Sequence, residues 1–434
     1  MLFEKVKRVL GRLAEGDASQ VFKGMLTLVA GAGAARLIGL ASIPLLSRIY
    51  SPEDFGVLSI YAALIAILAP TLTLRYALAI PLPRHDSTAL NIFRLSLALI
   101  FVNASLLTCV LCLFAPELLR LLSMESLVPW WWMIALGAAG SATYELLTMW
   151  AARRRSYRII ARTQFVQSAI GETVKITLGL MGAKPLGLLF GHMFAQAGGI
   201  TSLARSFRQD IPLGRLLAPR KGQLRKVAAL YSDYPSFRLA SQVLMIFAVQ
   251  APVMLMAAFY DAGSAGQLGL ATMAVTLPAN LLGESMAKAY YAEISAIGSK
   301  NPGRIRKLTF QVIKRLLVLS APPTLVLFFS GPYLFPWILG PEWETAGTFI
   351  SILSIYLVFQ FIQKPVSYLM FVFKEQRSLL YLNIQRAIVT VLCFWAGHAM
   401  GLAATETLLI YAIAMSCHYA LSVLVAVRKI PASD

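Results

Sequence analysis

The sequence predicts an all-α polytopic membrane protein: twelve transmembrane helices in two six-helix lobes, with N- and C-termini in the cytoplasm. Three observations carry this. Of the 434 residues, 58% are hydrophobic and only 14% charged, with a mean hydropathy of +0.69; soluble domains run at about 45–50% apolar and about 25% charged. The apolar residues gather into twelve windows, each near the roughly 20 residues that cross a bilayer. Finally, 32 of the 39 Lys and Arg fall on one alternating set of tails, loops and the span ends beside them (Arg94, Lys288 and Arg386 within spans), against three (Arg48, Arg120, Lys184) on the other. That segregation is the positive-inside pattern. The net charge of +19, including the Arg153-Arg154-Arg155 cluster, is therefore assigned to cytoplasmic loops and lipid headgroups, not nucleic acid.

In chain order, residues 1–23 form a basic cytoplasmic segment without a small-residue cleavage site, so the first span is expected to stay uncleaved. The N-lobe, 24–204, holds spans 24–46, 56–80, 93–115, 130–151, 163–183 and 186–204. Residues 205–238, the longest polar stretch, form a cytoplasmic linker. The C-lobe, 239–427, holds spans 239–260, 267–290, 316–338, 346–371, 379–398 and 403–427, and 428–434 is a cytoplasmic tail. Six spans per lobe would make the lobes parallel repeats. Pro44/Pro252 and Pro70/Pro278 are both 208 residues apart, while Tyr50/Tyr260, Gly56/Gly266 and Leu58/Leu268 are 210 apart, which fits a repeat with small gaps. Cys109 and Cys112 form a C-x-x-C inside an apolar run without a partner pair, so neither a zinc nor a redox site is expected. The loops are too short for a catalytic domain, and phosphate loops, metal-ligand clusters and nucleophile elbows are absent from the sequence.

What remains is charge inside the membrane, which is costly and therefore points to function. Arg36 sits about 18 Å into the first span at 1.5 Å per residue, too deep to reach the headgroups easily. Gly31, Ala35 and Gly39 run beside it as a small-residue stripe suited to close helix approach. The fifth span carries Gln164, Ser168, Glu172 and Lys175 on one stripe with Gln167 alongside, expected to line a cavity, with Glu172 and Lys175 able to pair at i,i+3. Arg75, Glu145, Glu284 and Lys364 share a depth near the cytoplasmic side. They are gate candidates, with Arg75–Glu284 and Glu145–Lys364 as the expected cross-lobe pairs; the competing reading has Arg75 and Lys364 snorkel to headgroups. Gln360, Gln363 and Pro365 beside Lys364 suggest a kink facing a cavity. His192 and Gln196, four residues apart, suit an interhelical hydrogen bond.

Several stretches resemble a known family. Leu37-Ile38-Gly39 followed by Pro44-Leu45-Leu46-Ser47-Arg48-Ile49-Tyr50-Ser51-Pro52-Glu53-Asp54-Phe55-Gly56 is similar to the signature of Wzx-type O-antigen and polysaccharide flippases. So are Arg75-Tyr76-Ala77-Leu78-Ala79-Ile80-Pro81-Leu82-Pro83, the Gly340-Pro341-Glu342-Trp343 loop with Ala346-Gly347, and the Pro278/Gly283 part of the eighth span. These flippases belong to the multidrug/oligosaccharidyl-lipid/polysaccharide (MOP) exporter superfamily. The resemblance implies two lobes forming a V around a cavity that opens alternately to either side. It also implies an undecaprenyl-pyrophosphate-linked sugar repeat unit as substrate, in lipopolysaccharide or another surface polysaccharide pathway, at the bacterial inner membrane. Lipid II flippases of the superfamily place arginines of the first helices in the cavity; Arg36 matches such a position and Arg75 another. Their two extra helices are missing here, which favours the polysaccharide branch.

The chemistry agrees. A pyrophosphate is a dense anion, for which arginine and lysine are natural ligands, and Arg36, Lys175, Arg75 and Lys364 supply positive charge along the path. A cation-coupled multidrug exporter would be expected to place acidic residues there. A sugar polymerase or ligase would need a larger extracytoplasmic loop than 116–129. No cofactor or metal is expected; a proton or sodium gradient is a candidate driving force. Expected partners are the lipid-linked oligosaccharide, membrane lipids and the polymerase machinery, with no nucleic acid.

Overall fold

The computed structural model describes residues 17–121, 124–208, 210, 222–298, 301–373 and 375–431. The basic segment before Asp17 and much of the 205–238 linker therefore lie outside the described residues. Everything described is helix, turn or loop: α1 (Asp17–Ile49), α2 (Pro52–Leu72), α3 (Asp86–Arg120), α4 (Trp131–Arg153), α5 (Tyr157–Leu180), α6 (Leu186–Ala197), α7 (Ile200–Ser206) and α8 (Gln223–Leu230). Then follow α9 (Leu239–Phe259), α10 (Ala262–Ile297), α11 (Pro302–Leu339), α12 (Glu344–Val366), α13 (Leu369–Val372), α14 (Gln376–Ala399) and α15 (Ala404–Arg428). Each of the twelve apolar windows is mostly helix, and among the described residues eight segments are long and apolar enough to cross a membrane by length and composition. The window 186–204 divides at Gly198-Gly199 into α6 and α7, of 12 and 7 residues.

The window 56–80 also divides. α2 stops at Leu72, Leu74 and Arg75 take left-handed backbone angles (φ 46° and 63°), and a 3₁₀ turn covers Tyr76–Ala79. Two side chains support the break. Asn103 Nδ2 on α3 donates to the Leu72 carbonyl (3.1 Å), and the Arg75 backbone N–H donates to Thr73 Oγ1 (3.2 Å). Carbonyls freed at a helix end thus find donors away from water. A left-handed leucine and arginine cost on the order of 1–2 kcal/mol each, so surrounding contacts must hold them.

The chain groups into two compact units. The first comprises Met1–Ser42, Leu64–Ala115 and Pro129–Val243; the second comprises Ile43–Ala63, Pro116–Val128 and Leu244–Asp434. The first has a core around Leu72, Tyr76, Ile80, Phe93, Leu146 and Trp150. Trp150, 1% exposed, meets Phe93 edge-on at 5.7 Å, and the Tyr76 hydroxyl donates to the Ala228 carbonyl (3.1 Å). Large apolar side chains such as Phe101, Leu106 and Leu113 point outward from α3, as lipid-facing residues do. In lipid, burial of apolar surface does little to drive helix association, so close approach must. α5 and α6 meet at Gly171 and Gly191, where a Cβ on Gly171 would stand 2.6 Å from the Gly191 carbonyl oxygen.

In the second unit, one core gathers Ile294, Ile305, Leu316, Val366, Leu369 and Met370. Fully buried Trp343 donates its Nε1–H to the Ser47 carbonyl (2.9 Å) and meets Phe55 edge-on at 5.0 Å. Gln267 bridges α10 to the same corner, donating to the Glu342 carbonyl (2.6 Å) and accepting from Ala346 N–H (2.9 Å). These are the Ser47…Gly56 and Gly340…Gly347 motifs, brought together. α2 and α10 approach so closely that a Cβ on Gly266 would collide with the Pro52 carbonyl and lie 2.6 Å from the Gly56 nitrogen.

Candidate functional site

The polar stripe on α5 is built as a connected network. Lys175 Nζ donates to Glu172 Oε1 (2.7 Å), and both side chains are about nine-tenths buried (9% and 10% exposed). Ser42 on α1 donates to the other carboxylate oxygen (2.7 Å). One turn back, the Ser168 hydroxyl donates to the Ala35 carbonyl (2.9 Å). Gly31 lies against Ala161, and Gly39 faces Glu172. The stripe Gly31/Ala35/Gly39 is thus the surface on which α1 packs along α5.

Arg36 is one residue on from Ala35, about 100° around the helix, and so leaves that packed surface. It is half-buried and has neither an ion pair nor a hydrogen bond among the described residues. Gln164 keeps a buried Oε1 without a partner, and Gln167 accepts from Gly199 N–H (3.1 Å), which fixes the α6–α7 break. His192 and Gln196 meet at 3.2 Å on one helix, and Ser141 on α4 donates to Gln196 (3.3 Å), giving the interhelical link that their spacing suggested. The net charge differs from the expectation. Glu172 neutralises Lys175, so among the described residues the cation left without a counter-ion here is Arg36 on the neighbouring α1.

Of the four charges at common depth, the structure joins Arg75 and Glu145 (2.8 Å; 10% and 28% exposed). The depth argument paired Arg75 with Glu284 and Glu145 with Lys364. The break after Leu72 instead turns Arg75 toward α4 in its own unit. The Glu284 side chain lies outside the described residues, and so do those of Pro278 and Gly283. Lys364 is half-buried at the last turn of α12 and has interactions of its own.

Sequence reasoning missed Arg386 on α14. In the second unit its guanidinium lies 5.6 Å over the Tyr419 ring and bonds the Tyr411 hydroxyl. Tyr356 packs on both tyrosines, at 6.2 and 5.8 Å, and Gln360 Nε2 donates to Tyr419 Oη (3.1 Å). Arg386 and Gln360 line one cavity with Tyr356, Tyr411, Thr272 and Thr276. Gln360 therefore does face a cavity, as the polar cluster beside Pro365 suggested. Arg386 sits near the start of its span, where a basic residue reads as one more cytoplasmic-side charge. Its tyrosines come from α12 and α15, and only the folded chain assembles them.

Known proteins share this architecture. The solved lipid II flippase MurJ, in an inward closed conformation, superposes with a TM-score of 0.67 at 12% identity, covering 94% of this chain and 88% of that one. An inward-facing multidrug resistance MATE family transporter of the MOP superfamily matches at TM-score 0.59 and 15% identity, over 93% of this chain and 94% of that one. In sequence, the succinoglycan biosynthesis transport protein ExoT of Rhizobium meliloti (strain 1021) is 22% identical over 318 residues. That match spans 68% of this chain and 60% of ExoT. The family model described as polysaccharide biosynthesis protein matches residues 45–348, which include the Ser47…Gly56 and Gly340…Gly347 motifs joined through Trp343. The chain therefore belongs to the polysaccharide biosynthesis protein family.

Proposed function

We propose that this protein is a flippase that carries an undecaprenyl-pyrophosphate-linked oligosaccharide across the bacterial cytoplasmic membrane by alternating access. The observation that carries the reading is Arg36: a membrane-embedded cation without a counter-ion among the described residues, on a helix locked in place by its glycine stripe. An unpaired guanidinium is expensive away from water, and a pyrophosphate passing it would supply the missing negative charge in bidentate geometry. Lys175, held by Glu172, keeps α5 polar for the sugar portion, with Ser168 and Gln164 on the same stripe. Arg75, Glu145 and Lys364 stand toward the cytoplasmic side in this reading, where substrate enters. Twelve crossings with cytoplasmic termini follow from the basic loops.

A multidrug exporter is the competing reading. Against it stands the sign of the charge: the buried acid of the stripe, Glu172, is already occupied by Lys175 and Ser42, and the free charge is positive. The test is complementation of a strain lacking its own flippase. Arg36→Ala should abolish surface polysaccharide and accumulate lipid-linked intermediates at normal membrane levels of protein. Arg36→Lys should restore only part, because a point charge loses the fork geometry. Normal polysaccharide from Arg36→Ala would remove the residue, and this reading of it, from the mechanism.

A further inference from the structure

Arg386 presents a problem that its own surroundings do not solve. A guanidinium stays protonated in proteins, yet among the described residues no carboxylate pairs with it. Its Nε is sealed from solvent and has no hydrogen-bond partner. The ring of Tyr419 and the hydroxyl of Tyr411 take part of its charge, which offsets only part of what desolvating an ion costs.

The groups around the cavity point to what completes the site. The guanidinium, the phenols of Tyr356 and Tyr411 and the second amide hydrogen of Gln360 are available as donors on an otherwise largely apolar wall, while Thr276 gives its hydroxyl hydrogen to the Thr272 carbonyl. With one fixed cation and no carboxylate in its lining among the described residues, the cavity favours an anion. Its size narrows the class. The space is about 40 Å³, and one water needs roughly 10–15 Å³ by the same kind of measure. A carboxylate-sized group fits; a sugar ring does not. The planar edge of Arg386 matches the two oxygens of a carboxylate.

We propose that the cavity on α9, α10, α12, α14 and α15 is a binding site for a carboxylate-sized oxyanion, centred on Arg386. The carboxylate reaches it either as a free small ion or as the acidic substituent of a sugar whose ring stays outside. The second source rests on the flippase reading; the first does not.

The experiment uses the purified full-length protein in detergent and follows thermal unfolding while sodium acetate or sodium glucuronate replaces sodium chloride at constant ionic strength. The wild type should show a saturable rise in Tm. Arg386→Met should weaken the apparent Kd about tenfold or more, since a charge-assisted hydrogen bond is worth about 1.5–3 kcal/mol. Arg386→Lys should retain part of the response. Should Arg386→Met not fold, Tyr411→Phe removes one donor at constant charge and should weaken the response in the same direction. A rise with both salts assigns the site to the carboxylate group itself, with acetate alone to a free ion, and with glucuronate alone to a sugar-borne acid. No rise with either salt, or an equal rise in wild type and Arg386→Met, overturns the site. Because the readout is binding, a failure of export in Arg36 variants leaves it intact.

Discussion

The two units bury charge in opposite ways. In the first, Lys175 and Glu172 sit one helical turn apart and satisfy each other, with Ser42 taking the second carboxylate oxygen. In the second, Arg386 has tyrosine rings and hydroxyls where the first unit has a carboxylate. A self-neutral pair fixes helices and needs nothing more. A cation surrounded by donors is incomplete, and it pulls negative charge toward itself. Structural and ligand-seeking charge therefore look alike in a sequence and separate only once their neighbours are known.

The largest effect that can break this contrast is at the pair. Lys175→Met strands Glu172 as an uncompensated buried carboxylate and should cost about 3–5 kcal/mol, read as a lowered Tm in detergent. Adding Glu172→Gln should recover most of it. If the single variant is as stable as wild type, water reaches the carboxylate and the pair is not what holds α1 on α5.

An intermediate effect is expected at Arg75, whose partner Glu145 keeps some solvent access. Arg75→Ala should cost about 1–3 kcal/mol through the lost charged hydrogen bond. Arg75→Gly should cost less than Arg75→Ala by about 1 kcal/mol, because glycine adopts the left-handed backbone without a penalty. The reverse order would mean that the backbone relaxes out of the left-handed region once the side chain is gone.

Arg386→Met sharpens the comparison from the other side. Without added carboxylate it should change stability by no more than about 1 kcal/mol, or raise it, because it removes a desolvated charge and strands no carboxylate. A loss as large as that of Lys175→Met would show Arg386 to be a structural charge with its own hidden counterpart.

The smallest effect belongs to the exposed pair of Lys429 and Glu375 (3.0 Å). The hydrogen bond from Lys429, with help from Ser378, holds the Glu375 carboxyl below its usual range. A depressed carboxylate stabilises the fold above its unfolded-state value, and the contribution fades as pH falls through the folded one. Lys429→Ala should therefore lower Tm slightly at neutral pH and leave it unchanged at acid pH, which flattens the acid limb of a Tm-against-pH curve.

Much of the fold was legible from composition and spacing. Apolar windows mark helices because a lipid environment demands continuous backbone pairing, and Gly31/Ala35/Gly39 announced the face on which α1 packs. The end of α2 was not legible: no glycine stands at Leu74 or Arg75, and the donor that caps Leu72 comes from Asn103, 31 residues on. Shared depth put Arg75 and Glu145 in one group of four without pairing them, since depth has no direction, and the Arg75–Glu145 contact came from that same break. Gln360 was readable as a cavity residue beside Pro365. Arg386 was not, since its tyrosines arrive from 30 residues before it and 25 and 33 after.

The meeting of α2 and α10 constrains what either crossing position can hold. Gly56 and Gly266 stand 210 residues apart among the repeat matches, and they lie backbone against backbone. Neither position accepts alanine alone, because a Cβ on either glycine meets the other helix's backbone with no side chain free to yield. The two helices are therefore held at one fixed separation by what both positions lack.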